Sequence, residues 1–69
     1  MDRDVARQIV ETMRECYGKI ENSVFLVRDT CRPEEFVEYR TAVGQLLGNI
    51  SIDILRPIYQ EHPDLKPRD

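Results

Sequence analysis

Side chains that commonly bind metals or act as nucleophiles are scarce in this chain. It has two cysteines, Cys16 and Cys31, and one histidine, His62. A structural zinc site requires four ligands at short, recognisable spacing, which this set does not provide. Di-iron sites in helical bundles use Glu-x-x-His motifs, and the sequence has none. We therefore expect no metal site and no cofactor.

The sequence also lacks the common signatures of catalysis. It contains neither a G-x-S-x-G nucleophile turn nor a glycine-rich phosphate-binding loop, and no pair of carboxylates is predicted to share a cleft. We expect that the chain is not an enzyme, and we assign no catalytic residue.

One set of polar residues in the second half of the chain could still form a site. Asp53 lies on a predicted apolar stripe, and a buried carboxylate without a partner is costly. Arg40 could pair with Asp53 from another helix. We favour Asp53 as a polar residue at the rim of a helical bundle. The alternative is a cleft for small-molecule binding or catalysis, formed with Arg40, Tyr39 and Tyr59.

A helical pattern over residues 36–59 carries these polar residues. Its large apolar side chains recur at spacings of three and four, which is typical of one face of an α-helix. Pro57 lacks an amide hydrogen and clashes with the carbonyl one turn earlier, so we predict a kink near it. Pro33 is a favourable first helical residue, and the predicted helix spans about 33–60. The apolar residues are Phe36, Tyr39, Val43, Leu46, Leu47, Ile50, Ile54 and Ile58.

A second apolar seam predicts a helix over about 3–28. It follows Asp2 and Asp4, which favour helix starts, and it repeats at alternating spacings of three and four. A turn over 29–32 joins the two helices, and long helices with so short a connection lie antiparallel. We therefore predict an all-α fold: an antiparallel helical hairpin over 1–61, followed by a mobile tail over 62–69. The seam contains Ala6, Ile9, Met13, Cys16, Ile20, Ser23 and Val27.

Two glycines four residues apart, Gly44 and Gly48, are unexpected inside a helix. Each costs roughly 1 kcal/mol relative to alanine. With Thr41 and Ser51 they form a stripe of small residues, which allows another backbone to come close. We predict close packing at these glycines, either within the hairpin or between two chains. The alternative is that they are tolerated surface positions.

The length of the chain predicts association. A core built from 69 residues is marginal, and small domains usually add disulfides, a metal or a partner chain. Because the first two are poorly supported here, we predict a symmetric homodimer in which two hairpins form a four-helix bundle. The candidate helix-packing and dimer-interface residues are Gly44, Gly48, Leu47, Ile9 and Met13.

The hairpin prediction is incompatible with an intrachain disulfide. Cys16 would lie about 20 Å from the turn that holds Cys31, whereas the α-carbons of bridged cysteines lie within about 7 Å of each other. We interpret Cys16 as a small core residue on the apolar seam and Cys31 as an exposed free thiol.

The acidic balance of the chain, with a net charge of −3, argues against a general affinity for nucleic acids. RNA binding on one bundle face, through Arg3, Arg7 and Arg14, is a further alternative. No apolar run approaches the roughly 18 residues of a membrane span, and the N-terminal segment lacks the apolar core of a secretory signal. We expect a cytoplasmic protein without a membrane partner.

Three short motifs mark the second half of the chain: a YR…VG start at Tyr39, a PIY segment at Pro57, and an HPDLKP segment at His62. Over Tyr39 to Pro67 the chain resembles a family of small uncharacterised bacterial helical proteins. The resemblance implies a bacterial helical protein of about this size and no particular activity. In shape alone, the predicted architecture is also similar to the small RNA-binding hairpin dimer encoded by colicin plasmids.

Our leading functional hypothesis is a non-enzymatic, homodimeric module that binds another protein as an adaptor or regulator. Folding that depends on association favours this hypothesis, as does the lack of a readable catalytic group. Apolar residues that the predicted bundle leaves over are the candidate partner contacts, namely Phe25, Leu26 and Leu65.

Overall fold

The computed structural model describes residues 1–67, and nearly all of them are helical. No strand occurs in that range, so the prediction of an all-α fold is confirmed. From residue 33 to residue 61 the helical elements follow one another without a break. In chain order the elements are α1 (Arg3–Thr30), α2 (Pro33–Asn49), a π-helical segment (Ile50–Leu55), α3 (Arg56–Glu61) and a 3-10 turn (Pro63–Leu65).

Both long helical stretches begin where the local chemistry favours a helix start. Asp2 caps α1, because its carboxylate accepts hydrogen bonds from the amides of Asp4, at 3.1 Å, and Val5, at 3.3 Å. α2 begins at Pro33 without a side-chain cap. Proline has no amide hydrogen to satisfy there, and its backbone angle suits the first turn. Only residues 31–32 separate α1 from α2.

A small core lies between α1 and the helical stretch that follows it. α1 supplies two of the buried residues, and the second stretch supplies five. Leu47, Ile9 and Met13, predicted for a dimer interface, all pack in this core within one chain. The buried residues are Ala6, Val10, Val43, Leu47, Ile50, Leu55 and Ile58; partly buried residues against them are Ile9, Met13, Tyr17, Ile20, Val24, Tyr59 and Leu65.

Polar contacts join the start of the chain to its last helical turns. The Met1 ammonium lies 2.7 Å from Glu61 Oε1. Arg3 Nε donates to Asp64 Oδ2 at 2.9 Å, and His62 Nε2 lies 2.8 Å from the Met1 carbonyl oxygen. The ion pairs are exposed, so each contributes little to stability. Together these contacts join residues 1–3 to residues 61–64.

Part of the segment over 62–69, for which a mobile tail was predicted, forms a turn that contacts the helices. Pro63–Leu65 form a 3-10 turn, in which the Leu65 amide donates to the His62 carbonyl at 3.0 Å. Leu65 packs against the core, and Asp64 pairs with Arg3. The apolar contact and the ion pair together hold this turn against the helices. Residues 68–69 of the predicted tail lie outside the described residues.

The π-helical segment shifts the register of the second helical stretch. A seven-residue repeat that starts at Val43 runs through Ile50 to Pro57, but the structure buries Ile58 instead. A π turn bonds each amide to the carbonyl five residues earlier, so it accommodates one more residue than an α turn. The additional residue places an isoleucine in the core where a proline would otherwise lie.

Pro57 explains where this widened turn occurs. In a regular α-helix its ring would clash with the Asp53 carbonyl, which would also lack an amide donor. Instead, the helix widens just before the proline, and the Arg56 amide donates to the Ser51 carbonyl. A kink was predicted near Pro57; a π segment over Ile50–Leu55 is the irregularity found there.

The folded chain is thin and elongated. It measures 44 × 21 × 16 Å, with a radius of gyration of 14.5 Å, whereas a compact domain of this length has a radius of about 11 Å. Its accessible surface is 5332 Å². A compact protein of this mass exposes about 4,500 Å². The chain therefore exposes roughly 800 Å² more than a compact protein of the same size.

Candidate interaction surface

An apolar groove runs between α1 and α2 on one broad side of the molecule. Its volume is about 480 Å³, and its walls are mainly hydrocarbon. The residues that line it are Lys19, Ile20, Ser23, Tyr39, Ala42, Val43 and Leu46. The polar atoms of Ser23, Tyr39 and Lys19 form contacts with other side chains. The surface that the groove presents to solvent is therefore mainly apolar.

A hydrogen bond and an ion pair engage polar groups of the groove. The Tyr39 hydroxyl and the Ser23 hydroxyl lie 2.7 Å apart and form a hydrogen bond between the two helices. The Lys19 ammonium lies 3.6 Å from Glu15 of the same helix. Leu46 has no such role and projects from the groove wall with 47% of its surface exposed. The groove therefore offers both a depression and a projecting leucine.

The same side of α1 extends the groove toward the start of the chain. Cys16 lies seven residues before Ser23, and Ile9 lies seven residues before Cys16, so all three share one side of the helix. Cys16 is exposed, which corrects the prediction that it is a small core residue. We use the name apolar face for the groove residues together with Ile9 and Cys16.

Gly44 and Gly48 lie on the other flank of α2. Gly44 and Leu46 are two residues apart, which places them about 200° apart around the helix. A β-carbon built on either glycine would meet no atom within 4 Å. Within residues 1–67 of one chain, no other element therefore packs closely against these glycines. Close packing between chains and simple tolerance at the surface are the two explanations that remain.

The candidate polar site is not assembled within one chain. Tyr39 and Tyr59 lie twenty residues apart on a continuous helical stretch, which corresponds to about 30 Å. Arg40 and Asp53 are separated by about 20 Å along the same axis. The Arg40 guanidinium instead stacks on the Phe36 ring, 5.3 Å from its centroid, and Asp53 is exposed. These four side chains therefore do not form one site within a chain.

The three arginines considered for RNA binding differ in their surroundings. Arg3 pairs with Asp64, and Arg7 Nη1 lies 2.9 Å from Glu11 Oε1. Arg14 makes no ion pair with any carboxylate in residues 1–67. Two of the three positive charges are thus locally neutralised, so this set does not form a continuous cationic surface.

Of the three candidate partner contacts, two are exposed and one packs against the core. Phe25 and Leu26 are exposed near the end of α1, Leu26 to 65%, and the Arg28 guanidinium lies over the Phe25 ring at 4.9 Å. Leu65, in contrast, packs against the core. Leu65 is therefore a structural residue of the C-terminal turn rather than an exposed contact.

Within residues 1–67, no group of three His, Cys, Asp or Glu side chains is placed to hold a metal ion. Nor is any helix of this part of the chain both long and apolar enough to cross a bilayer. No family model, curated protein or solved structure matches this chain. The resemblance to small bacterial helical proteins stays an expectation, and the functional argument depends on geometry.

Proposed function

We propose that the chain is an antiparallel helical hairpin that pairs with a second copy through the apolar face, forming a four-helix bundle. The dimer acts as a non-enzymatic module that binds another protein. The observation that carries the pairing is the excess accessible surface of roughly 800 Å². A standard protein interface buries about 800 Å² on each partner, so one such interface would restore a normal degree of burial.

The dimensions and chemistry of the apolar face support a second copy as its occupant. A broad side of 44 by 21 Å has a projected area of about 900 Å², which is enough for a standard interface. A two-fold interface must be complementary to itself. The groove and the projecting Leu46 are on the same surface, so each chain offers a leucine to the groove of the other.

The expected energy of pairing is sufficient for a stable dimer. Burial of a few hundred Å² of apolar surface per chain contributes several kcal/mol at about 25 cal/mol per Å². The core of one chain has only seven buried residues, one of which is an alanine. Pairing therefore contributes an energy comparable with the stability of a small domain.

A matched pair of variants tests the proposed interface. Leu46 and Val37 are both in α2, with 47% and 49% of their surfaces exposed. They are nine residues apart and so lie on opposite sides of the helix. Leu46→Glu places a charge in the interface, where an unpaired charge is costly, and should give a monomer. Val37→Glu should leave the dimer intact.

Sedimentation equilibrium measures the mass in solution of both variants and of the wild type. A dimer for wild type and Val37→Glu, with a monomer for Leu46→Glu, supports the apolar face. The reverse result would place the interface on the flank that carries Gly44 and Gly48. Circular dichroism of each variant confirms that a change in mass is not a loss of helix.

The protein-binding role is tested at the exposed end of α1. Phe25 and Leu26 are both exposed near the end of α1. Phe25 lies two residues after Ser23 of the groove, about 200° around the helix, and so remains available after pairing. Cross-linking followed by mass spectrometry should capture a partner with the wild type and lose it with a Phe25→Ser, Leu26→Ser double variant. Capture of nothing but the chain itself would contradict the proposed role.

A further inference from the structure

Within residues 1–67, three of the four arginine and lysine side chains that form no ion pair line two clefts of the surface. In the part of the chain that the structure describes, five basic side chains form ion pairs with carboxylates, and Arg40 stacks on an aromatic ring. Three remain, namely Arg14, Arg56 and Lys66. The paired side chains are Arg3, Arg7, Lys19, Arg28 and Arg32.

All three of these cations line two clefts that share Tyr59. The first cleft, of about 410 Å³, is polar and is lined by Ser51, Arg56, Tyr59, Gln60 and Lys66. The second, of about 330 Å³, is more apolar. The residues that line this second cleft are Arg14, Tyr17, Gly18, Leu55, Tyr59 and Pro67. Tyr59 lines both clefts, so that together they offer a cationic half and an apolar half.

The π segment constructs the cationic half. Ser51 and Arg56 are five residues apart, and the amide of Arg56 donates to the carbonyl of Ser51. This bond places the two residues on adjacent turns, whereas an α-helix would place them about 140° apart. Single π turns inside helices occur frequently at functional sites. Here Ser51 and Arg56 line the same cleft.

The clefts lie on the side of the molecule opposite the apolar face. Arg14 and Ser23 are nine residues apart in α1, which places them on opposite sides of that helix. Ser23 lines the groove, and Arg14 lines the more apolar cleft around Tyr59. A ligand can therefore enter these clefts whether or not two chains pair through the groove.

We propose that the Tyr59 clefts bind a small organic phosphate. The phosphate lies between Arg56 and Lys66, where a guanidinium and an ammonium both donate charge-assisted hydrogen bonds, with Ser51 and Gln60 as neutral donors. The planar or apolar body of the ligand lies against Tyr59 and Tyr17. This arrangement matches the general form of ligand sites, in which a few convergent polar groups adjoin apolar walls.

Amide chemical-shift titrations of the labelled protein test the proposal with three probes: phenyl phosphate, inorganic phosphate and phenol. Phenyl phosphate should shift amides of residues 51–60 and of Lys66, and should bind at least about tenfold more tightly than either of the others, because it alone fills both halves. Equal affinity for inorganic phosphate, or an absence of shifts at millimolar phenyl phosphate, would overturn the proposal.

Three charge-removing variants separate a specific site from general electrostatic attraction. Arg56→Gln and Lys66→Gln should each weaken phenyl phosphate binding about tenfold, since each removes a hydrogen bond to a charged group. Arg32→Gln removes the same charge beside Glu35, near the turn between α1 and α2, and should change the affinity less than twofold. An equal loss in all three variants would overturn the site. All three side chains are exposed, so the fold should be retained.

Discussion

The two helical glycines provide a quantitative test of which side of α2 is free. A β-carbon at Gly44 or Gly48 would meet no other atom within 4 Å, so alanine at either position creates no clash in one chain. Each replacement removes the backbone-entropy cost of a helical glycine, about 1 kcal/mol. The Gly44→Ala, Gly48→Ala double variant should therefore raise the free energy of unfolding by about 2 kcal/mol.

The assay is urea unfolding followed by circular dichroism, with wild type and variant at the same concentration because a dimer's stability depends on concentration. In thermal unfolding, 1 kcal/mol corresponds to about 4–8 °C for a domain of this size. Gly18→Ala, in α1, is the matched control, since a β-carbon there also meets nothing within 4 Å. The control should likewise be stabilised, by about 1 kcal/mol.

A loss of stability at Gly44 and Gly48, together with a gain at Gly18, would refute this reasoning. It would show that a second chain packs closely against the small residues of α2. The dimer interface would then include Gly44 and Gly48, which is one of the alternatives predicted from the sequence. The apolar groove would in that case lie outside the interface.

Two further predictions concern the ends of the chain. The hydrogen bond from Arg3 and its charge hold the pKa of Asp64 below its ordinary value, and the N-terminal ammonium does the same to the pKa of Glu61. Both carboxylates thus stabilise the fold fully above about pH 4.5 and lose that contribution as the pH falls through their lowered pKa values. Stability measured from pH 6 to pH 3 should decline less in Asp64→Asn than in wild type, and an identical decline would contradict the role of this pair. Asp2→Ala should lower the free energy of unfolding by about 1 kcal/mol, through loss of the α1 cap, whereas Asp2→Asn should retain most of it in the same urea assay.

The sequence predicted the helical elements from local chemistry. Asp2 and Pro33 favour helix starts, and the spacings of three and four define apolar stripes. The apolar stripe of α1 does not, however, predict how much of its width a single neighbouring helix covers. The stripe is two residue tracks wide. A single neighbouring helix buries Ala6 and Val10 of one track, whereas in the other track Ile9 is only partly buried and Cys16 stays exposed.

The spacing of apolar residues also could not predict which residues after Ile50 face the core. A regular α-helical repeat places Ile54 on the apolar stripe, whereas the structure buries Leu55. Pro57 was read as a kink, because a proline in a helix can be accommodated by a kink or by a widened turn. The clefts around Tyr59 depend on this choice, which is why the sequence suggested a different polar set around Asp53.

The mass of the wild-type protein in solution tests the central claim most directly. Light scattering on a size-exclusion column, at two protein concentrations and with reductant present, measures it independently of shape. Pairing through the apolar face predicts a mass near twice 8.1 kDa at both concentrations. A mass of 8.1 kDa at both would contradict the homodimer.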